Sequence, residues 1–307
     1  MFSKPPARAF FVLLALMIVV AACGDSDDAN DTTAAPTTTA APATTEGAGS
    51  GIPIASDLTT PGKLTIANTL GYAPFEFLTE DGEPTGVDIE LAFAAADVLG
   101  LELEIVEIPF TSIFPAIAAG RADLAWGSFT VTEDRLEQAD FVVFMVAGTV
   151  ASALPDVAAT LTEQNDLCGL EIAIAAGSSA DFTADVLSAD CEAANLPAIE
   201  EVIFPDVPEV IQAVLSGRVD ARLEDSTAAG YYEVTSDGQM VVVPGLYDIS
   251  PGGIAVQKGD LEMAEMMAAA IQVLIDNGTY AEIFAKYGIS ESEVPEAYVV
   301  TDINELR

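Results

Sequence analysis

The sequence contains no histidine, and its 49 acidic residues face only 10 basic ones, for a formal net charge of −39. Without histidine the chain lacks the usual neutral-pH general base and the commonest metal ligand. That disfavours hydrolase and metalloenzyme chemistry, so no catalytic residue and no metal site is expected. The shortage of cations denies the chain the basic footprint that nucleic-acid binding needs, and no nucleic-acid partner is expected. Cysteine is scarce as well, at three in 307 residues. What is present is a chain 51% hydrophobic and 19% charged. That is enough for one large or two modest globular domains, at roughly 150 residues each. The acidity favours solubility and carries little information on fold.

The N-terminus is the most apolar stretch. Lys4 and Arg8 precede "AFFVLLALMIVVAA", residues 9–22. The run is too short for a membrane-spanning helix, which needs about 20 apolar residues. A basic start, a short apolar core and small residues at its end read as an export signal, residues 1–22. "VAAC", Val20 to Cys23, resembles the lipobox of bacterial lipoproteins, in which the cysteine becomes the lipidated first residue. That resemblance implies an exported chain, anchored by Cys23 to the outer face of the cytoplasmic membrane. Residues 24–51 hold Thr, Ala, Pro, Gly and Asp and no large apolar residue. They cannot bury enough surface to offset their ordering entropy. A flexible tether over residues 23–57 is expected. Export also places Cys168 and Cys191 in an oxidising compartment, where a bridge is expected, with two buried free thiols as the alternative. In the chain-entropy model such a bridge contributes about 3 kcal/mol.

From about residue 60 strands and helices alternate. "KLTIANT" (63–69) and "LELEIVEI" (101–108) read as strands, "DIELAFAAADVLG" (88–100) and "SIFPAIAAG" (112–120) as helices. "EIAIAA", a helix near 180–188, "EEVIF", "VPEVIQAVLSG" and "VDARL" continue the order, and the tail from Gly259 to about Lys286 is mostly helical with a break at "DNG". This alternation implies open, mostly parallel sheets covered on both faces. The length favours two α/β lobes. The apolar stretches 141–154 and 252–260 are the expected crossings, which makes them shared hinge strands. Lobe one is then residues 58–149 and 250–307, and lobe two residues 150–249. Ligands in such sheets bind beyond the carboxyl ends of strands, here in a cleft between lobes.

Three strand-to-helix loops hold the candidate binding residues. In "GSFTVTEDR" (127–135), Thr132 reads as a helix N-cap, and Glu133 and Asp134 suit the positive end of the helix dipole. Arg135 does not suit it, and no acid lies three or four residues away. Arg135 is either a solvated surface arginine or a group that serves a distant partner. In "AAGSSADF" (175–182), Gly177, Ser178 and Ser179 open a helix whose free N–H groups favour an anion, or a serine simply caps it. In "RLEDSTAAG" (222–230), Asp225 ends a strand and either caps the next helix or faces the cleft. A guanidinium with free N–H groups holds a carboxylate, and a facing carboxylate holds an ammonium. Tyr72, Phe110 or Phe129 are placed to sandwich an apolar stem. These are the features an α-amino acid requires. Trp126 reads as core. Strand alternation points Arg222 away from Asp225 and hence from the cleft.

Several ordered motifs then match one family. "GYAPFEF" with "GEPTGVDIELA", "FTSIFPAIAAGRADLAWGSFTVTEDR", "GLEIAIAAGSSADF", "SGRVDARLEDSTAA", "GGIAVQKGD" and "DNGTYAEIFAKYGI" resemble the bacterial extracellular solute-binding proteins of family 3, over roughly residues 60–290. Val87 and Glu90 depart from the family's aromatic and Asp. The resemblance implies a two-lobed, type II periplasmic-binding-protein-like fold and a monomeric amino-acid receptor of an ABC importer, with no cofactor. Arg135 would clamp the α-carboxylate with Ser128, Thr130 and the Ser178–Ser179 loop. Asp225 would hold the α-ammonium, and Tyr72 and Phe110 would pack on the side chain. Basic-ligand members carry an Asp where this chain has Thr69, so a neutral polar, glutamine-like ligand is expected. The partners implied are an amino acid, the transporter permease and the membrane. A cyclohexadienyl-dehydratase-like enzyme using Asp225 or Glu224 as its acid or base, or a ligand sensor, is the competing expectation on the same fold.

Overall fold

A computed structural model describes Thr45, Glu46, residues 50–245 and residues 247–306. The expected export signal, Cys23 and most of the expected tether lie outside the described residues. None of the described helices is long and apolar enough to cross a membrane.

The first half of the chain gives β1 (Lys63–Asn68), α1 (Val87–Leu99), β2 (Glu102–Glu107), α2 (Ile113–Ala118), β3 (Leu124–Thr130), α3 (Glu133–Leu136) and the long β4 (Ala139–Ala153). Then follow β5 (Glu171–Ala175), α4 (Ser179–Ala193), β6 (Glu200–Phe204), α5 (Val207–Leu215), β7 (Ala221–Asp225) and α6 (Ser226–Thr235). The chain ends with β8 (Asp248–Gln257), α7 (Leu261–Asn277), α8 (Thr279–Tyr287) and β9 (Glu293–Val300). The break at "DNG" falls at Gly278, whose φ of 88° closes α7 and starts α8. Glycine reaches that left-handed conformation without a Cβ clash.

The fold is two-lobed α/β. Strand order is β6-β5-β7-β4-β8-β3-β1-β2. At one end β2, β1 and β3 run parallel, and at the other β7, β5 and β6 do. Between them stand β4 and β8, antiparallel to each other and to their outer neighbours β7 and β3. Both expected crossing stretches are therefore strands, and hydrogen bonding runs unbroken from one parallel set to the other. β4 and β8 leave no room for a side chain at Gly253, where a Cβ would stand 2.2 Å from the Val142 carbonyl oxygen.

Helices cover both faces, as the near-continuous apolar strands require. Around β1–β3, one face buries Leu91, Ala95 and Leu99 of α1 against Met267, Ile271 and Leu274 of α7. The other face buries Ile113 and Ile117 of α2 with Phe129 and Phe141. Around β5–β7, α4 contributes Ala184 and Leu187 on one face, and α5 contributes Val210 and Val214 on the other. Trp126 is fully buried in the first of these cores, in line with its reading as a core residue.

Two expectations are corrected. The tether was expected to reach residue 57, yet Ile52, Ile54 and Ala55 are buried, and Ala55 N–H donates to the Met266 sulfur at 3.3 Å. "IPIA" is a short apolar run, and burying it on α7 outweighs the entropy of ordering so few residues. The helix near 180–188 extends from Ser179 to Ala193, because Cys191 joins the buried Thr183, Ala184 and Leu187. Cys191 is bridged to Cys168, with Cα atoms 5.6 Å apart.

Candidate functional site

A cavity of about 590 Å³ opens beyond the carboxyl ends of β1, β3, β5 and β7. Of the sequence-derived binding residues, Tyr72, Phe110, Ser128, Phe129, Thr130, Arg135, Ser178, Ser179 and Asp225 all line it. Gly177 does not, but its carbonyl oxygen takes part through Arg135.

Arg135 is neither solvated nor loosely paired. Thr132 caps α3, accepting from the Arg135 N–H at 3.3 Å, and this fixes the backbone so that the side chain turns inward. Only 7% of the residue remains exposed. Nη1 donates to the Thr130 carbonyl at 2.8 Å and Nη2 to the Gly177 carbonyl at 3.0 Å. The guanidinium lies 5.9 Å from the ring centroids of Phe110 and Phe114 and 6.0 Å from that of Phe129. No carboxylate stands within ion-pair range of it among the described residues. Burial alone lowers its pKa to about 10. A guanidinium carries five N–H donors, and the two carbonyls occupy two. The distant partners of Arg135 within the chain are thus two neutral carbonyls, and a buried cation is left with donors to spare.

Asp225 fills both roles that its sequence left open. Its Oδ1 accepts from the Thr227 N–H at 2.8 Å, capping α6, and the residue also lines the cavity. Burial raises its pKa to about 6, against the pull of the Thr227 and Ala228 hydrogen bonds. It has no ion-pair partner among the described residues either.

Ser178 sits at the N-cap of α4 without capping it, and its Oγ is buried and unpartnered. The first amides of α4 thus keep their donors, and a 15-residue helix presents its positive end beside the cavity. Thr130 Oγ1 donates to Ser179 Oγ at 3.1 Å. Ser128 adopts φ 48°, and its Oγ donates to the buried Asp88 Oδ1 at 2.7 Å. A non-glycine residue in that conformation is uncommon, and the Asp88 bond is what holds it there.

Four groups escaped the sequence reading or were misplaced by it. Phe114 completes the ring cluster around Arg135, and Glu76 lines the cavity at 3% exposure. Arg222 also lines the cavity, contrary to the simple alternation argument. It is 1% exposed, pairs with Glu224, donates from Nε to Ser152 Oγ at 3.0 Å and lies 4.7 Å from the Tyr232 ring. Its charge is therefore already satisfied within the wall. The fourth is Asp88, which stands behind Ser128. The signal for Glu76 and Asp88 was a carboxylate inside an otherwise apolar pattern.

A two-lobed α/β fold with a deep cleft that combines an unpaired cation, an unpaired anion and a free helix N-terminus defines a binding protein for a small solute. The chain belongs to the bacterial extracellular solute-binding proteins, family 3, whose model matches residues 64–290. The arginine-binding protein ArgT of Corynebacterium glutamicum is 34% identical over 240 residues, covering 78% of each chain. Among solved structures, an ancestral arginine-binding protein bound to arginine superposes with a TM-score of 0.67 at 29% identity, covering 74% of this chain and 98% of that one. The ancestral amino acid-binding protein AncCDT-1, a precursor of cyclohexadienyl dehydratase, gives 0.65 at 30% identity, covering 74% and 95%.

Proposed function

We propose that this chain is the extracytoplasmic substrate-binding component of an ABC importer and that it binds one α-amino acid in the cleft. The observation that carries the reading is the pair of orphan charges, Arg135 and Asp225, lining one cavity. A buried charge without a counter-ion is costly, and a zwitterion supplies both counter-ions at once. Arg135 takes the α-carboxylate with the Ser128–Thr130 segment and the amides at the start of α4. Asp225 takes the α-ammonium, and Tyr72, Phe110 and Phe129 enclose the aliphatic stem. The amino-acid receptors among its relatives support this reading. Lobe one comprises residues 58–149 and 250–307, extended back to Ile52, and lobe two residues 150–249. The ligand holds the two together, and the permease reads the closed form. The protein acts as a monomer on a lipid anchor at Cys23.

The ligand's side chain has two supports that point apart. Thr69, in place of a carboxylate, favours a neutral polar side chain. Glu76, on the same wall, favours a cationic one. A thermal-shift panel of amino acids tests the main reading. A ligand at about a hundred times its dissociation constant adds about 2.7 kcal/mol of stability. The shift is expected for a narrow group and is absent in Arg135→Ala. No shift with any amino acid in the native protein would overturn it. An enzymatic reading would need turnover of prephenate or arogenate, and a sensory one a signalling partner in place of the permease.

A further inference from the structure

One carboxyl group in the cavity wall, Glu76, meets a second just behind it, Asp88, with no cation paired to either among the described residues. Glu76 belongs to the short strand Glu76–Leu78 and is 3% exposed, and Asp88 lies in the first turn of α1 and is fully buried. Glu76 Oε1 accepts from Thr69 Oγ1 at 3.3 Å, and Asp88 Oδ1 accepts from Ser128 Oγ at 2.7 Å. The other oxygens, Oε2 and Oδ2, are buried, and no N–H or O–H donor of a neighbouring residue reaches them. The two carboxyl groups interact directly, and a hydrogen bond between them is open only to a protonated pair. Carboxylates only accept, so a proton on one of them supplies the donor that both free oxygens lack.

The surroundings offer no positive charge to replace that proton. Asp225, from the end of β7, adds to the negative field at Asp88. Thr69 and Ser128 are neutral. Glu107, Asp206, Glu224 and Tyr72 are the remaining acids and phenol of the cavity. Of its two cations, Arg222 is paired with Glu224, and Arg135 is held by the carbonyls of Thr130 and Gly177 with its charge left for the ligand's carboxylate. Two buried carboxyl groups in contact cannot both ionise cheaply. Burial and the Asp88 charge push Glu76 well above the usual carboxylate range. Burial lifts Asp88 to about 6, while the bonds from Ser128 and Glu76 hold it down. The pair therefore holds one proton between its two carboxyl groups.

We propose that the Glu76–Asp88 pair is a proton-gated selector of the ligand's side chain. Protonated, the pair carries one negative charge and suits an uncharged amide-type side chain. Deprotonated, it carries two and suits a guanidinium or ammonium. When a cationic side chain enters, the carboxyl O–H bond of the pair breaks, the proton passes to solvent, and the ligand's cation takes its place against Glu76, the member of the pair that lines the cavity. An uncharged side chain leaves the O–H bond intact. The selector thus reconciles Thr69 with Glu76, and it rests on the amino-acid reading of the cleft.

The test is calorimetric titration of the purified protein with L-arginine and with its uncharged isostere L-citrulline. Buffers of different ionisation enthalpy give the proton count, and the series runs from pH 5.5 to 8. The Asp225 contribution is common to both ligands and cancels in their ratio. Arginine is expected to release about one proton more than citrulline. The affinity ratio of arginine to citrulline is expected to rise with pH, approaching tenfold per unit on the acid side of the pair's titration. Glu76→Gln is expected to abolish the extra proton and flatten the ratio. Should that variant fail to fold, the proton count of the unaltered protein decides alone. Equal proton release by both ligands overturns the selector, and so does binding of citrulline or glutamine with no arginine binding at any pH. Failure of every amino acid to bind instead overturns the amino-acid reading itself.

Discussion

Arg135 donates from Nη2 to the carbonyl oxygen of Gly177 at 3.0 Å, joining the loop after β3 to the loop after β5. The same guanidinium holds the Thr130 carbonyl through Nη1, so a single side chain spans the cleft before any ligand adds to it. Both acceptors are neutral, and the cation's charge is left for an anion.

Replacement of Arg135 by lysine separates charge from geometry. Lysine keeps the cation and loses the planar fork that reaches two carbonyls and a carboxylate together. Arg135→Lys is expected to weaken amino-acid binding by roughly ten- to a hundredfold, the loss of one to two charge-assisted hydrogen bonds. Isothermal titration against the unaltered protein checks this.

Asp225→Asn separates capping from ligand binding. Asparagine caps a helix as well as aspartate, so the melting temperature of the ligand-free protein is expected to change little. The negative charge opposite Arg135 is lost, and affinity is expected to fall by about 2–4 kcal/mol. A large drop in melting temperature together with retained affinity would assign Asp225 to the helix alone.

The raised carboxyls predict an unusual pH profile. Asp88 and Asp225 titrate near 6 in the folded protein, against about 3.9 in an unfolded chain. Between about pH 4 and pH 6 the folded state therefore binds more protons than the unfolded one. These two groups favour folding most at the acid end, and that contribution is lost as pH rises through 6. Denaturant midpoints of the ligand-free protein are expected to fall from pH 4.5 to pH 7, less steeply in Asp225→Asn.

Breaking the Cys168–Cys191 bridge by a double alanine substitution is expected to cost about 3 kcal/mol. For a domain of this size that is on the order of 10 °C in melting temperature. The bridge ties the last turn of α4 to the segment before β5, away from the cavity lining. Ligand affinity is accordingly expected to be unchanged when measured well below the melting temperature.

Gly253→Ala probes the paired central strands. Its Cβ would stand 2.2 Å from the Val142 carbonyl, a backbone atom that cannot rotate aside. A loss of about 2 kcal/mol or more is expected, with the strand pair forced apart, and denaturant unfolding measures it.

The alternation of apolar strands and helices, the two apolar crossing stretches and the break at Gly278 were all legible in the sequence, because period, length and glycine placement are local properties of the chain. So was the incongruity of Arg135, a cation in the first turn of a helix with no acid at helical spacing. Its destination was not legible, since Gly177 lies 42 positions away and meets it only when the β3 and β5 loops converge. Arg222 shows the same limit: alternation along one strand says which side a residue leaves from, but not that long side chains curl back to line a cavity. The buried contact of Glu76 with Asp88 is likewise tertiary, bringing a short strand and the start of α1 together. Composition and spacing determined which chemistry this chain can carry. Only folding decided which charges meet and which stay unpaired, because burial and counter-ion distance are set by the packing of segments far apart in sequence.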